Sequence, residues 1–217
     1  MEALRAALRD VVLAHMATDA AHDLAHLDRV WANCQEIAAG EDAPDMRVLL
    51  AAAYLHDLVN LPKDDPQRDQ ASRMAAEHSA PVLTGLDFTD SEIKATQHAI
   101  ATHSFSAGLE PDSAEARILR DADRLDALGA IGIARTFAVA GDLKLALYDP
   151  VDPFAELRAL DDRAWALDHW PVKLFRLPEG MTTATGRVVA ENRVSEMRSF
   201  AKGLAAEIGT VVPKRWR

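Results

Sequence analysis

Val48-Leu49-Leu50-Ala51-Ala52-Ala53-Tyr54-Leu55-His56-Asp57-Leu58-Val59-Asn60 is the stretch from which this chain is best read. An unbroken apolar run leads straight into an imidazole and a carboxylate, so His56-Asp57 closes what must be a buried segment. Taking a carboxylate out of water costs far more than one ordinary hydrogen bond returns, and such a group is normally paired or bound to a cation. A second His-Asp pair, His22-Asp23, lies in polar sequence and carries no such implication. The context therefore nominates His56 and Asp57 as adjacent ligands of a divalent cation, with further ligands arriving from distant helices.

Upstream, Leu4, Leu8, Val11 and Val12 recur at helical spacing between Glu2 and Thr18. A second helix is predicted from Asp23 to Ala39, ended by Gly40, with Leu27, Val30, Trp31, Cys34 and Ile37 turned inward. His26 and Arg29 are three apart and share a face of it. They read either as a polar helix start or as a metal ligand followed one turn later by a phosphate-binding guanidinium. Pro44 stands near the start of the helix that ends at His56-Asp57. Pro62 and Pro66 make 60–66 a loop, and a loop directly after proposed ligands is where substrate contacts belong, with Lys63 and Arg68 as candidates.

Downstream, a helix is predicted from Arg68 to Leu83, closed by Gly85. Thr89-Asp90-Ser91-Glu92 has the form of a capping box and opens a helix running out to His103. His78 and His98 read as surface residues. Asp112 and Glu115 repeat the capping spacing and start a helix in which Asp121, Asp123 and Asp126 interleave with Leu119, Leu125 and Leu128. Charge on an amphipathic helix ordinarily keeps to one side. Periodicity does not decide between Asp121 and Asp123 as a ligand, and a solvated face is an equal reading. Ala130 to Val139 is apolar enough for a buried helix despite Gly129 and Gly132. The segment 141–163 is irregular and reads as a lid. Trp165, Leu167, Trp170, Leu174 and Leu177 predict a helix that also presents His169, Lys173 and Arg176. A closing helix spans Thr182 to Ile208, ended by Gly209. The sequence carries no internal repeat and no strand pattern.

A chain of 217 residues with 49% hydrophobic and 27% charged residues has the balance of a globular protein and the length of one domain. The net charge of -10 argues against stable nucleic-acid binding or an anionic membrane surface, both of which use basic faces. Only 213–217 is basic. The single Cys34 allows no intramolecular disulfide and no thiolate zinc cluster. Glu2, Arg5, Arg9 and Asp10 interrupt any signal-peptide core, and no run is long enough to span a membrane, so the cytoplasm is the expected location.

His26 in His-Leu-Asp-Arg-Val, His56-Asp57, and Asp123 in Asp-Ala-Asp-Arg-Leu-Asp-Ala-Leu-Gly together resemble the H…HD…D pattern of the HD-domain metal-dependent phosphohydrolases. Thr102-His103-Ser104-Phe105, Ala130-Ile131-Gly132-Ile133-Ala134-Arg135 and the stretch from Leu167 to Leu174 extend the similarity to a small stand-alone bacterial, YedJ-like branch. The resemblance implies an all-α bundle of roughly eight to eleven helices without significant sheet. It implies a single HD domain over 1–217, with a helical lid or appendage around 141–180. It also implies that His26, His56, Asp57 and Asp123 converge on one cation, and it favours Asp123 over Asp121. Some relatives carry a carboxylate three or four residues after the His-Asp pair for acid–base work, whereas Asn60 and Leu61 stand there in this chain.

Two imidazoles and two carboxylates suit Mn²⁺, Fe²⁺, Co²⁺, Ni²⁺, Zn²⁺ or Mg²⁺, and such a cation activates water and polarises a P–O bond. Asp57 and His103 are the expected catalytic residues, His103 binding phosphate or protonating the leaving group. Arg29, Lys63, Arg124 and Lys173 are expected to neutralise phosphate charge. The resemblance implies a nucleotide or similar phosphate compound as substrate, with conversion of a nucleoside triphosphate to a monophosphate and pyrophosphate as the favoured reaction. A phosphomonoesterase, a cyclic-nucleotide phosphodiesterase, a non-catalytic nucleotide sensor and a helical adaptor are the competing readings.

Overall fold

A computed structural model gives the structure of residues 1–15, 23–59, 61, 65–104 and 108–216. Regular structure among these residues is helical: α1 (Glu2–His15), α2 (Leu24–Ala38), α3 (Met46–Leu55), α4 (Ala71–Gly85), α5 (Asp90–His103), α6 (Ala114–Leu125), α7 (Gly129–Asp142), α8 (His169–Val172) and α9 (Ala184–Glu207). Strand-type pairing among them is limited to an isolated bridge between Ala146 and Trp165. No described helix is long and apolar enough to cross a membrane. The chain divides into two compact units, Met1–Asp123 with Thr182–Thr185, and Arg124–Met181 with Gly186–Arg217.

The first unit is built around α3. Every residue from Val48 to Leu55 is buried, and a helix with no polar face has to be surrounded. Helices α1, α2, α4 and α5 surround it, and each fully buried leucine contributes about 1.5–3 kcal/mol. Asp45 starts α3, its carboxylate accepting from the backbone N–H groups of Arg47 (2.9 Å) and Val48 (3.2 Å). Asp23 does the same for α2, accepting from His26 N at 2.9 Å. The five residues expected to face inward on α2 are all buried. The capping box of α5 forms as expected, Glu92 N donating to Thr89 Oγ1 and Thr89 N to Glu92 Oε2.

Two boundaries differ from expectation. The helix predicted from Arg68 opens as a 3-10 turn, Arg68–Gln70, before α4 begins. Helix α6 is capped by Ser113, whose hydroxyl accepts from Ala116 N at 3.1 Å, and not by Asp112. The Asp112 carboxylate lies 2.6 Å from His98 Nε2 instead.

Asp28 ties three helices of this unit together. Arg5 donates to it at 3.0 Å, Tyr54 at 2.5 Å, and Arg9 also reaches it, while Arg5 Nε donates to Tyr54 at 2.7 Å. Burial pulls the Asp28 carboxyl upward, but the bonds from Tyr54, Arg9 and Arg5 outweigh it and hold the group below the usual carboxylate value of 3.8. A carboxylate whose folded value is depressed adds stability above its unfolded value, and that stability is lost as pH falls through the folded value. Acid titration monitored by circular dichroism is therefore expected to show Asp28→Asn losing less stability than the wild type below about pH 4. Parallel acid transitions in the two proteins would show that Asp28 carries none of this dependence.

In the second unit, Phe137, Trp170, Phe175, Phe200 and Trp216 form a chain of ring contacts with centroids 5.8 to 6.3 Å apart. The basic C-terminal stretch is anchored, since Trp216 is fully buried and its Nε1 donates to Phe154 O at 2.9 Å. The predicted helix through Trp165 and Leu177 is instead the short α8 followed by a 3-10 stretch, Leu174–Gly180. Pro171 and Pro178 account for this, because each lacks the N–H that a continuing helix needs. Helix α7 is half-exposed and not buried as its composition led one to expect: Gly129, Gly132 and Ala140 are its buried residues, and Ile131 is exposed. A Cβ on Gly132 would lie 2.2 Å from Ala127 O, so only glycine fits there. The irregular segment before α8 is held by Arg158, which pairs with the fully buried Asp168 at 2.9 Å and again at 2.5 Å.

Candidate metal centre

The C-terminal ends of α3 and α5, the start of α2 and the last turn of α6 bring five side chains of the first unit together. His26 is buried on the first turn of α2, and His56 is the C-cap of α3. Asp57 follows directly. His103 is the last residue of α5, and Asp123 stands two residues from the end of α6.

Asp57 Oδ2 lies 3.5 Å from His56 Nε2 and 3.7 Å from His26 Nε2, and its Oδ1 lies 4.0 Å from His103 Nε2. Asp123 Oδ1 lies 3.5 Å from His26 Nε2 and 3.8 Å from His56 Nε2. The rings of His56 and His103 stand edge to face with centroids 4.9 Å apart. Donor atoms of His26, His56 and Asp123, and of His56, Asp57 and His103, lie within 4.8 Å of one another, so either group could hold a metal ion.

Proton placement shows why the cluster suits a cation. His56 Nδ1 lies 2.9 Å from Ala53 O and His103 Nδ1 2.6 Å from Ile100 O. Carbonyl oxygens only accept, so in each neutral ring the proton sits on Nδ1 and the lone pair on Nε2. His56 Nε2 is buried without a hydrogen-bond partner. Lone pairs of imidazole nitrogens thus face carboxylate oxygens, all acceptors, which is repulsive until a positive ion stands among them. Two ligands about 2.1 Å from a shared ion at a tetrahedral angle are separated by roughly 3.4 Å, close to the shorter separations found here. Burial, with His56 beside it, holds the His103 imidazole below its ordinary range.

The three interleaved carboxylates of the α6 region have separate partners. Asp123 joins the cluster. Asp121 is fully buried and accepts from Thr182 N at 3.0 Å, Thr183 N at 2.8 Å and Thr183 Oγ1 at 2.7 Å. Asp126 is buried against Arg135, whose Nη1 donates at 2.5 Å. The role of Asp121 escaped sequence reasoning because its partners lie sixty residues away. The Thr182-Thr183 pair before a long helix was the available signal.

Arg29 is half-buried on α2, one turn beyond His26. Arg124 belongs to the second unit and donates to Gly180 O at 2.6 Å, and Lys173 of that unit is exposed. Lys63 and Asn60 lie outside the described residues. Cys34 is buried and free, and burial pushes its thiol upward, which keeps it unreactive.

Known proteins align with this arrangement. The HD domain family model matches residues 23–128, the span that contains all five clustered residues. The Bacillus subtilis protein YpgQ is 33% identical over 191 residues, covering 86% of this chain and 84% of that protein. Its crystal structure in complex with ADP superposes with a TM-score of 0.73 at 30% identity, covering 94% of this chain and 97% of that one. An HD-superfamily hydrolase from Bacillus thuringiensis gives a TM-score of 0.74 at 28% identity, covering 96% and 97%. The chain therefore belongs to the HD-domain family and is an HD-superfamily hydrolase.

Proposed function

We propose that the chain is a metal-dependent phosphohydrolase whose substrate is a nucleotide, and that its reaction converts a nucleoside triphosphate to a monophosphate and pyrophosphate. The observation that carries this is the meeting of imidazole lone pairs and carboxylate oxygens in one buried cluster. The ADP found with YpgQ supports a nucleotide ligand.

His26, His56, Asp57 and Asp123 hold a divalent cation. When bound, it supplies Lewis acidity toward water and a phosphoryl oxygen. Water adds at the α-phosphorus, the bond from that phosphorus to the α–β bridging oxygen breaks, and pyrophosphate leaves with the bridging oxygen. Asp57, placed against three imidazoles, orients the reacting centre. His103, whose Nε2 lies 4.0 Å from Asp57 Oδ1, binds phosphate or protonates the leaving group. Arg29 neutralises phosphate charge from the helix that carries His26. Lys63, Arg124 and Lys173 are assigned the same task on their charge.

A panel of nucleoside tri-, di- and monophosphates and cyclic nucleotides, assayed with Mn²⁺, Co²⁺, Ni²⁺, Zn²⁺ and Mg²⁺, tests the reading. Pyrophosphate released from a triphosphate is the expected product. Orthophosphate from a monophosphate would make the protein a phosphomonoesterase instead, and saturable binding without turnover under every metal would make it a sensor.

A further inference from the structure

Arg120 occupies α6 three residues before Asp123 and is only 8% exposed. Its Nε and Nη1 are buried with no hydrogen-bond partner among the described residues. Other cations of the same helix are satisfied: Arg117 donates to Asp112 O at 3.2 Å and Arg124 to Gly180 O at 2.6 Å. A guanidinium stays charged at every accessible pH, so Arg120 cannot escape burial by giving up its proton. A buried charge without acceptors is costly, and an apolar side chain of the same length would occupy the position without that cost. Position 120 thus carries a charge whose Nε and Nη1 find no acceptor among the described residues.

Helix geometry locates where that charge acts. Residues three apart are neighbours on one helix face, with Cβ atoms roughly 5–6 Å apart, so Arg120 flanks Asp123. Asp121, turned well away from Asp123 around the helix, is committed to Thr182 and Thr183. A guanidinium presents a planar fork of donors that matches two oxygens of a phosphate.

We propose that Arg120 binds the phosphate chain of the substrate, taking the phosphate next to the one held at the cluster of His56, Asp57 and Asp123. This rests on the nucleotide reading above. A monophosphate has no neighbouring phosphate to offer, so Arg120 is a specificity residue that favours di- and triphosphates.

The test is calorimetric titration of ADP and AMP into Mn²⁺-supplied wild type, Arg120→Met and Arg120→Lys, with thermal melts of each protein without nucleotide. Wild type is expected to bind ADP about tenfold or more tighter than AMP, the scale of a charged hydrogen-bonded contact. Arg120→Met should bring that ratio close to one by weakening ADP alone, while its melting temperature holds or rises. Arg120→Lys, which keeps the charge but loses the fork, should give an intermediate ratio and serves if the Met variant does not fold. An unchanged ADP-to-AMP ratio in the variants overturns the assignment and leaves the nucleotide reading intact. A wild type that binds neither nucleotide overturns both.

Discussion

Asp57→Ala is expected to lower phosphohydrolase turnover about a thousandfold, the rate equivalent of the several kcal/mol that a bound cation contributes to such reactions. Asp57 is the carboxylate that reaches all three clustered imidazoles, at 3.7 Å from His26, 3.5 Å from His56 and 4.0 Å from His103. Its removal leaves the histidine lone pairs with Asp123 as the remaining carboxylate partner, so metal content measured by mass spectrometry should fall with activity. The fold should survive. Asp57 follows α3 and is not part of its buried run. The increase in melting temperature on adding Mn²⁺ should shrink, since a ligand stabilises only the state that binds it. Equal turnover in variant and wild type would refute the site.

The first unit was readable from sequence where local chemistry decides structure. An apolar run with no polar face could only be central, and α3 is. Thr89 and Glu92 cap α5 because both partners of the box lie within one turn. His56-Asp57 stood out because a charged group after buried sequence is an anomaly with few resolutions. What sequence could not supply is pairing over distance. Periodicity sees which face a residue occupies but not what meets it, so Asp121 and Asp123 were equal on that criterion. Asp28 gave no sign that it joins α1, α2 and α3. The second unit was less readable for a related reason. Pro171 and Pro178 interrupt an apolar pattern that otherwise reads as one helix, and α7 looks buried by composition while much of it meets solvent. The C-terminal stretch stands out in sequence only as basic, and its charge does not reveal that Trp216 within it is fully buried and bonded to Phe154.

Asp121→Ala and Asp123→Ala, two residues apart on one helix, are expected to fail in opposite ways. Asp121 has no exposed surface and accepts from two backbone N–H groups and two hydroxyls at Thr182 and Thr183. Hydrogen bonds to a charged group are worth about 1.5–3 kcal/mol each, and buried donors left without an acceptor add their own penalty. Asp121→Ala should thus cost about 3–5 kcal/mol, or roughly 10 °C in a thermal melt of a chain this size, whether or not metal is present. Asp123 is 31% exposed and faces other acceptors, so its replacement removes repulsion from the metal-free protein and should leave that melting temperature unchanged or higher. Its cost should appear as lost metal binding and lost turnover. The contrast separates holding the last turn of α6 in place from holding the ion. If Asp123→Ala melts early without metal while Asp121→Ala keeps its stability and loses metal, the two roles are reversed and the cluster must be rebuilt around the other carboxylate.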